Sequence, residues 1–383
     1  MKIGFDAKRA FHNNTGLGNY SRGLIHALAQ FFPENEYLLF NPKPGRTHVF
    51  NEINTKEILP SGMFFKKFHS LWRSYGILND LYREKIELFH GLSHEIPMHI
   101  QKTKIKSVVT IHDLITFRFP RQFSMFDAFM HQQKIKNACK HADMIIAISE
   151  QTKNDIIDYV GINPLKIKVC YQHCDTKFSI QKSDAEKKSV REKYGLPENY
   201  FLYVGSIIER KNLLRICEAM KINKSMSDMP LVVVGHGGKY KEMVQSFIQK
   251  NNLNEQVIFL SEKEEVKKDP DFISGIHLPE LFQSATALIY PSEFEGFGIP
   301  VLEALWSGTP VITSSISCLP EAGGPDSYYV DPRSAKEIAD AMMKLETDES
   351  RRKMMIATGK EYAMNFTPKK SAENIMNAYK ALF

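Results

Sequence analysis

Short apolar runs rich in β-branched residues alternate with stretches of helical period along almost the whole chain. This alternation is the strongest constraint on the fold. A strand covered on both faces reads as a continuous apolar run, and parallel strands need a crossover, usually helical, between them. Runs at Lys2–Phe5, Tyr37–Phe40, Leu88–His90, Ser107–Ile111, Met144–Ser149 and Ile167–Tyr171 make a first series. Runs at Tyr200–Val204, Leu231–Val234, Val257–Leu260, Ala287–Tyr290 and Val311–Thr313 make a second. Helical patterns lie between them, at Tyr20–Phe32, Gln132–His141, Thr152–Val160, Asn212–Met220, Pro279–Ser284 and Ala335–Leu345. Two such series predict two doubly wound α/β domains with parallel sheets. The 383 residues are too many for one ordinary domain and agree with that division. The charged stretch Asp175–Pro197, ending in Gly195-Leu196-Pro197, is the expected boundary and also reads as a surface helix followed by a turn.

Composition removes several classes. Apolar residues at 43% and charged residues at 25% exclude a disordered tail, a collagen-like chain and a disulfide scaffold. Five scattered cysteines, an odd number, suit a reduced, cytoplasmic protein. No apolar run approaches the ~18–20 residues of a membrane-spanning helix, and Met1–Asp6 reads as a strand, not a secretion signal. A net charge of +6 permits anionic ligands or an anionic membrane surface and gives no case for nucleic acid.

Residues 287–308 carry the most chemistry. A buried strand, Ala287–Tyr290, is broken by Pro291-Ser292 and followed by Glu293-Phe294-Glu295-Gly296-Phe297-Gly298-Ile299-Pro300. Gly296 and Gly298 let the backbone bend close to a ligand. Pro300 suits a first helical turn and Gly308 a helix end, so a helix starts near Gly298. The N–H groups of Phe297, Gly298 and Ile299 then form an anion site suited to a diphosphate. Glu295 and Glu303 flank it as carboxylates able to hold a sugar diol; Glu303 alternatively complements the helix dipole.

With seven residues between them, Glu295 and Glu303 resemble the paired-glutamate signature of family 4 retaining glycosyltransferases, which have the two-domain GT-B fold. Phe201–Ser206, Glu209–Asn212, Gly308–Ile312, Leu319–Glu321 and Val330–Pro332 resemble the family's flanking motifs. Thr15–Tyr20 and Val108–Leu114 resemble its N-terminal ones. The resemblance runs from about residue 1 to 380. It implies a first, acceptor-side domain of residues 1–174 that regains 368–383, and a donor-binding domain of residues 175–367, facing each other across a cleft. It also implies that Glu295 binds hydroxyls of the donor hexose, that Glu303 binds the ribose diol, and that His112 contacts the sugar near its reacting carbon. Gly205 and Ser206 would line the donor site. Many relatives carry Arg directly after the glycine, where this chain has Ser206, so the positive charge would fall on Arg210 and Lys211.

Arg210 and Lys211 lie at the start of a helix, where cations oppose the dipole unless an anion sits between. They would stabilise the charge that builds on a departing diphosphate. Gly16 and Gly18 open another helix; the spacing is wrong for a dinucleotide fingerprint, which leaves a flexible loop over the leaving phosphate or acceptor, or a plain helix-initiating turn. Three signals carry little. Asp269-Pro270-Asp271 has the spacing of a metal motif but follows no strand directly. His94-Glu95-Ile96-Pro97-Met98-His99 misses zinc-protease spacing by one. Cys170 and Cys174 lack partner ligands. The stretch Glu262–Ile276 reads as a solvated loop that could shape the nucleotide pocket or bind a partner. Phe64–Tyr75 combines aromatics at helical spacing with Lys66, Lys67 and Arg73; it is a core-facing helix or a surface that touches anionic lipid.

The expected activity is metal-independent transfer of a hexose, with retained configuration, from a nucleoside diphosphate sugar to a glycan or lipid-linked hydroxyl in polysaccharide or glycoconjugate synthesis. GDP-mannose is the first expected donor and a UDP-hexose the second, with no cofactor, at a cytoplasmic location that could include the inner membrane face. A nucleotide-sugar epimerase of the same fold and a non-catalytic nucleotide-sugar-binding protein are the alternatives.

Overall fold

A computed structural model describes residues 1–45 and 49–383 of the chain. They form two compact units, Met1–His173 with Phe366–Phe383, and Cys174–Asn365. Among the described residues the first unit has strands β1 (Lys2–Asp6), β2 (Glu36–Phe40), β3 (Thr55–Ile58), β4 (Leu88–Gly91), β5 (Lys106–Ile111), β6 (Met144–Ala147) and β7 (Ile167–Val169). They lie in the order β3-β2-β1-β4-β5-β6-β7, every pair parallel. The second has β8 (Phe201–Val204), β9 (Leu231–Val234), β10 (Val257–Phe259), β11 (Ala287–Tyr290), β12 (Val311–Ser314) and β13 (Tyr328–Val330). Their order is β10-β9-β8-β11-β12-β13, again all parallel. Each unit is thus doubly wound, as the alternation predicts.

Central strands are sealed on both faces: Val108, Val109 and Ile111 of β5, and Ala287, Leu288 and Ile289 of β11, have no exposed surface. The strands missing from the sequence reading, β3 and β13, are two of the four edge strands; the other two, β7 and β10, were read. An edge strand has one neighbour, so it needs no continuous apolar run. In β3, Lys56 and Glu57 face solvent and only Ile58 is buried.

Helix starts follow side-chain chemistry. Ser149, Ser183 and Ser334 each accept an N–H bond from the first turn, and Ser183 forms a reciprocal capping box with Glu186. The last helix, Pro368–Lys380, belongs to the first unit, where it lies against the Gly16–Phe31 helix. Its Tyr379 hydroxyl reaches Nδ1 of buried His90 at 2.6 Å.

Residues 64–75 depart from a continuous core-facing helix. The chain breaks into short turns, Met63–Lys67 and His69–Leu71, then a π-helical turn, Trp72–Gly76. Trp72 alone carries a large side chain fully into the core, where its indole N–H donates to Asp80 at 2.6 Å. Phe64, Phe68, Leu71 and Tyr75 stay substantially exposed.

Two glycines at one helix start have unlike roles. A Cβ on Gly18 would fall 1.8 Å from the Asn13 carbonyl oxygen, whereas nothing lies within 4 Å of one on Gly16. Gly18→Ala is expected to cost ~1–3 kcal/mol, because backbone must move to admit the methyl. Gly16→Ala should be neutral or stabilising by under ~1 kcal/mol. Urea unfolding of both variants measures the difference.

Candidate functional site

In a doubly wound sheet, ligands bind beyond the carboxyl ends of the strands where the strand order reverses. In the second unit that point lies between β8 and β11. The loop after β8 carries Gly205, Ser206, Arg210 and Lys211, and the loop after β11 carries Glu295, Phe297 and Gly298. The structure brings these two loops together. Glu293 N donates to Arg210 O at 2.9 Å, and Asn212 Nδ2 donates to Pro291 O at 3.1 Å and Pro332 O at 2.6 Å. Asn212 holds φ at +63°, a left-handed conformation that asparagine tolerates better than most residues.

Glu295 is the focus. Its Oε1 lies 3.0 Å from Arg210 Nη1 and 3.6 Å from Lys211 Nζ. The same oxygen accepts hydrogen bonds from Tyr290 Oη and Ser292 Oγ, both at 2.9 Å. Lys211 also donates to Tyr290 Oη at 2.7 Å, and Arg210 to the Phe294 carbonyl. Burial would raise the Glu295 carboxyl, but Lys211, Arg210 and the two hydroxyl donors outweigh it and hold the group below its ordinary value. Glu295 is therefore an anion whose partners are two cations.

Around this cluster the backbone is shaped for close approach. Lys211 lies across Gly205, with Nζ 3.0 Å from where a Cβ would sit. Ser206 is exposed, and its carbonyl accepts from Tyr203 Oη at 3.0 Å. Gly298, at φ +109°, caps the nine-residue helix Ile299–Ser307, and Pro300 sits in its first turn. The first N–H groups of a helix have no intrahelical partner and carry the positive end of its dipole. Cys318 Sγ donates to Glu295 O at 3.0 Å and Phe297 O at 3.1 Å, which fixes the loop leading into that helix. Ser317 (φ +63°) adds a bond from Glu295 N at 3.3 Å.

Glu303 lies one turn inside the same helix. Burial, opposed by Lys177 and reinforced by Asp175, pushes its carboxyl up to about 8. Lys211 also acts on it favourably, which places Glu303 within electrostatic reach of the Arg-Lys pair. A protonated carboxyl can donate one hydrogen bond and accept another, a pattern suited to a diol as much as a carboxylate is. A neutral Glu303 adds little to the helix dipole.

In the first unit the corresponding reversal lies between β1 and β4. His112 follows β5 and is buried. Its Nε2 meets the Leu92 carbonyl at 2.9 Å, so Nε2 holds the proton and Nδ1 is an acceptor. Burial and neighbouring His94 lower the His112 pKa to about 3, which keeps the ring neutral. Tyr20, on the helix opened by Gly16 and Gly18, packs edge-on against it at 4.7 Å. Tyr20 was read only as part of a helix-opening motif and His94 only in a discounted zinc-like spacing, because each becomes a neighbour of His112 only through the tertiary fold. Tyr290 and Ser292 were read only as a strand end and the break after it, and Ser317 and Cys318 drew no reading as site residues. Asp269, part of the apparent metal motif, pairs with Lys193 and the Tyr194 hydroxyl, both at 2.7 Å. Residues 262–276 hold two short helices, Glu264–Lys267 and Pro270–Ile273, where a solvated loop was expected.

Comparison with known proteins gives consistent matches. Residues 15–178 match the family described as Glycosyltransferase Family 4, and residues 184–362 that described as Glycosyl transferases group 1. The chain is 31% identical over 301 residues to the O-antigen chain mannosyltransferase RfbU of Salmonella typhimurium, covering 78% of this chain and 74% of that one. It is 25% identical over 396 residues to O-antigen chain mannosyltransferase B of Escherichia coli, covering both chains entirely. Among solved structures, sucrose-phosphate synthase from Thermosynechococcus elongatus superposes with a TM-score of 0.77 at 19% identity, over 100% of this chain and 99% of that one. HepE from Anabaena, in complex with UDP and glucose, superposes with a TM-score of 0.72 at 15% identity over 99% of each chain. At such identities these two structures speak for the fold alone.

The raised Glu303 carboxyl has a consequence for stability. Below its ordinary value of 4.5 the side chain is protonated in both folded and unfolded chains. Between 4.5 and about 8 the unfolded chain releases a proton that the fold retains, so stability falls as pH rises through this window. Glu303→Gln removes the titration. The variant should match the parent near pH 4 and exceed it by ~1–3 kcal/mol near pH 8, after a discount for the partial exposure of the side chain. Denaturant curves across that pH range measure it.

Proposed function

The chain belongs to glycosyltransferase family 4, with the GT-B fold, and we propose that it transfers mannose from a nucleoside diphosphate sugar to a hydroxyl of a growing glycan or lipid-linked acceptor in O-antigen-type polysaccharide synthesis. The observation that carries this reading is the convergence of Arg210 and Lys211 on Glu295 beside the Ile299–Ser307 helix N-terminus. The names of the Salmonella and Escherichia relatives favour mannose, and GDP-mannose is the first donor to test. UDP-hexoses are the second donor to test.

In this reading the donor diphosphate takes over Arg210 and Lys211, which in its absence are paired with Glu295. Glu295, released from them, accepts hydrogen bonds from hydroxyls of the sugar. Backbone N–H groups of Gly298 and Ile299 meet the phosphates, with Phe297 and Gly205 shaping the approach, and Glu303 takes the ribose diol. The bond from the anomeric carbon to the β-phosphate oxygen breaks, and its electron pair stays on that oxygen. The acceptor oxygen bonds to the same carbon on the same face, and its proton passes to the departing phosphate. Configuration is retained without a covalent enzyme intermediate. Protein cations and the helix end neutralise the leaving group, so the proposal includes turnover in EDTA.

The test begins with thermal shifts in GDP, UDP, GDP-mannose and UDP-glucose, since a ligand of the native state raises its apparent stability. A guanine nucleotide should raise Tm, and Lys211→Gln should remove most of the rise. With a functional acceptor, Lys211→Gln and Glu295→Ala should each lower kcat/KM by ~10²–10³-fold. An inverted anomeric centre in the product, read by NMR, or an absolute divalent-ion requirement would overturn the mechanism. No shift from any nucleotide would overturn the donor site.

A further inference from the structure

We propose that Tyr379, on the last helix, is a positioning residue: through His90, Thr110 and Tyr20 it holds the His112 ring in place for sugar transfer. The inference deepens the proposed function and rests on it, together with the sugar contact that the sequence resemblance implies for His112.

Four elements of the first unit contribute one side chain each. Tyr379 lies on the helix Pro368–Lys380, His90 on β4, Thr110 on β5 and Tyr20 on the Gly16–Phe31 helix. Tyr379 Oη meets His90 Nδ1 at 2.6 Å, His90 Nε2 meets Thr110 Oγ1 at 2.8 Å, and Thr110 Oγ1 meets Tyr20 Oη at 3.1 Å. Sheet register explains the meeting. β4 and β5 are parallel neighbours, with His90 opposite Val108. Side chains two residues apart on a strand share a face, so Thr110 stands on the face that carries His90. The next residue of that parity is His112, just beyond the strand end at Ile111. The Tyr20 ring completes the chain by packing edge-on against the His112 ring, with centroids 4.7 Å apart.

All four side chains are buried, and His90, Thr110 and Tyr379 have no exposed surface. Buried polar groups cost stability unless paired, and apolar side chains of the same volume would fill this space without that risk. What a fully paired network adds is a unique orientation of its members. Burial, and then the neighbouring His112, lowers the His90 pKa to about 3, so its ring is neutral. A neutral imidazole donates from one nitrogen and accepts at the other, and both nitrogens of His90 are engaged. The ring cannot turn without breaking both bonds. At His112 itself the Leu92 carbonyl holds Nε2 at 2.9 Å, and Thr152 Oγ1 donates to the His112 carbonyl at 3.2 Å. The Tyr20 ring, fixed through its hydroxyl, sets the tilt of the imidazole between those two anchors.

The experiment combines histidine NMR with rates. In the nucleotide-free full chain, isotope-labelled at histidine, the His112 ring signal is identified by its loss in His112→Ala. Tyr379→Phe and Thr110→Val each delete one hydroxyl and keep the shape of the side chain. Each should shift or broaden the His112 signal, and Thr110→Ser should restore it. With GDP-mannose as donor, and water as acceptor where no glycan acceptor is in hand, each deletion should lower kcat about tenfold or more and leave KM for the donor near parental. The double variant should lose no more than the larger single one, because both break the same chain. In a His112→Ala background Tyr379→Phe should lower the rate no further. Tyr37→Phe is the control: Tyr37 is equally buried but bonds to the Leu28 and Phe32 carbonyls, and its variant should keep the parental signal and kcat even where Tm falls. Parental His112 signals in both deletion variants, a multiplied loss in the double variant, an undiminished effect without His112, or an equal loss in Tyr37→Phe would overturn the proposal. Should Tyr379→Phe fail to fold, Thr110→Val carries the same test. The NMR measurement needs no sugar, so its outcome is read separately from the thermal shifts that decide the donor reading.

Discussion

A carboxylate taken out of water stays charged only when cations and hydrogen-bond donors replace its lost solvent. Glu295 has that replacement from Arg210, Lys211, Tyr290 and Ser292. The partners come from β11 and from the loops after β8 and β11. The cluster therefore couples the strand-order reversal of the second sheet to the placement of its cations. Without a ligand, the anion that balances Arg210 and Lys211 is part of the protein. In the proposed donor complex a diphosphate would exchange one anion for another, so neither state leaves buried Arg210 and half-buried Lys211 without a partner.

The backbone around the cluster is held in place as well. Asn212 in a left-handed conformation turns the chain directly after the two cations, and its amide group ties the turn to Pro291 and Pro332. Gly298 does the corresponding work on the other loop, and the Cys318 thiol holds the carbonyls that precede it. Glu303, on the helix that Gly298 opens, differs from Glu295 in its surroundings and so in its charge. One carboxyl is depressed by two nearby cations, and the other is raised by burial that its cations do not offset. Two glutamates eight positions apart thus have opposite protonation tendencies for environmental reasons alone.

Much of the fold was legible because a parallel strand must be apolar along its length. β9 and β11 were read to their exact ends, and other central strands to within a residue or two. β3 was missed because an edge strand can leave polar side chains in water, whereas β13 is an apolar run of only three residues, Tyr328–Val330. The helix expected at 64–75 failed for another reason. Helical spacing of aromatics is the same whether the stripe faces a core or solvent, and here the core accepted Trp72 and left most of the others outside. In the site, Arg210, Lys211, Glu295 and Glu303 were visible as charged residues beside glycine and proline punctuation. Tyr290, Ser292, Ser317 and Cys318 were not, because hydroxyls and thiols are common in loops and become partners only when two loops meet.

The sequence by itself determined that two parallel sheets would form, and which loops would leave the carboxyl ends of their strands. Both follow from hydrophobic period and chain direction, which are local properties. Only the tertiary structure decided that Arg210 and Lys211 share one oxygen of Glu295, and that burial opposes ionisation at Glu303 while being overcome at Glu295. Those outcomes depend on distance and local solvation, and residues far apart along a chain acquire both only when the sheet order brings their loops side by side.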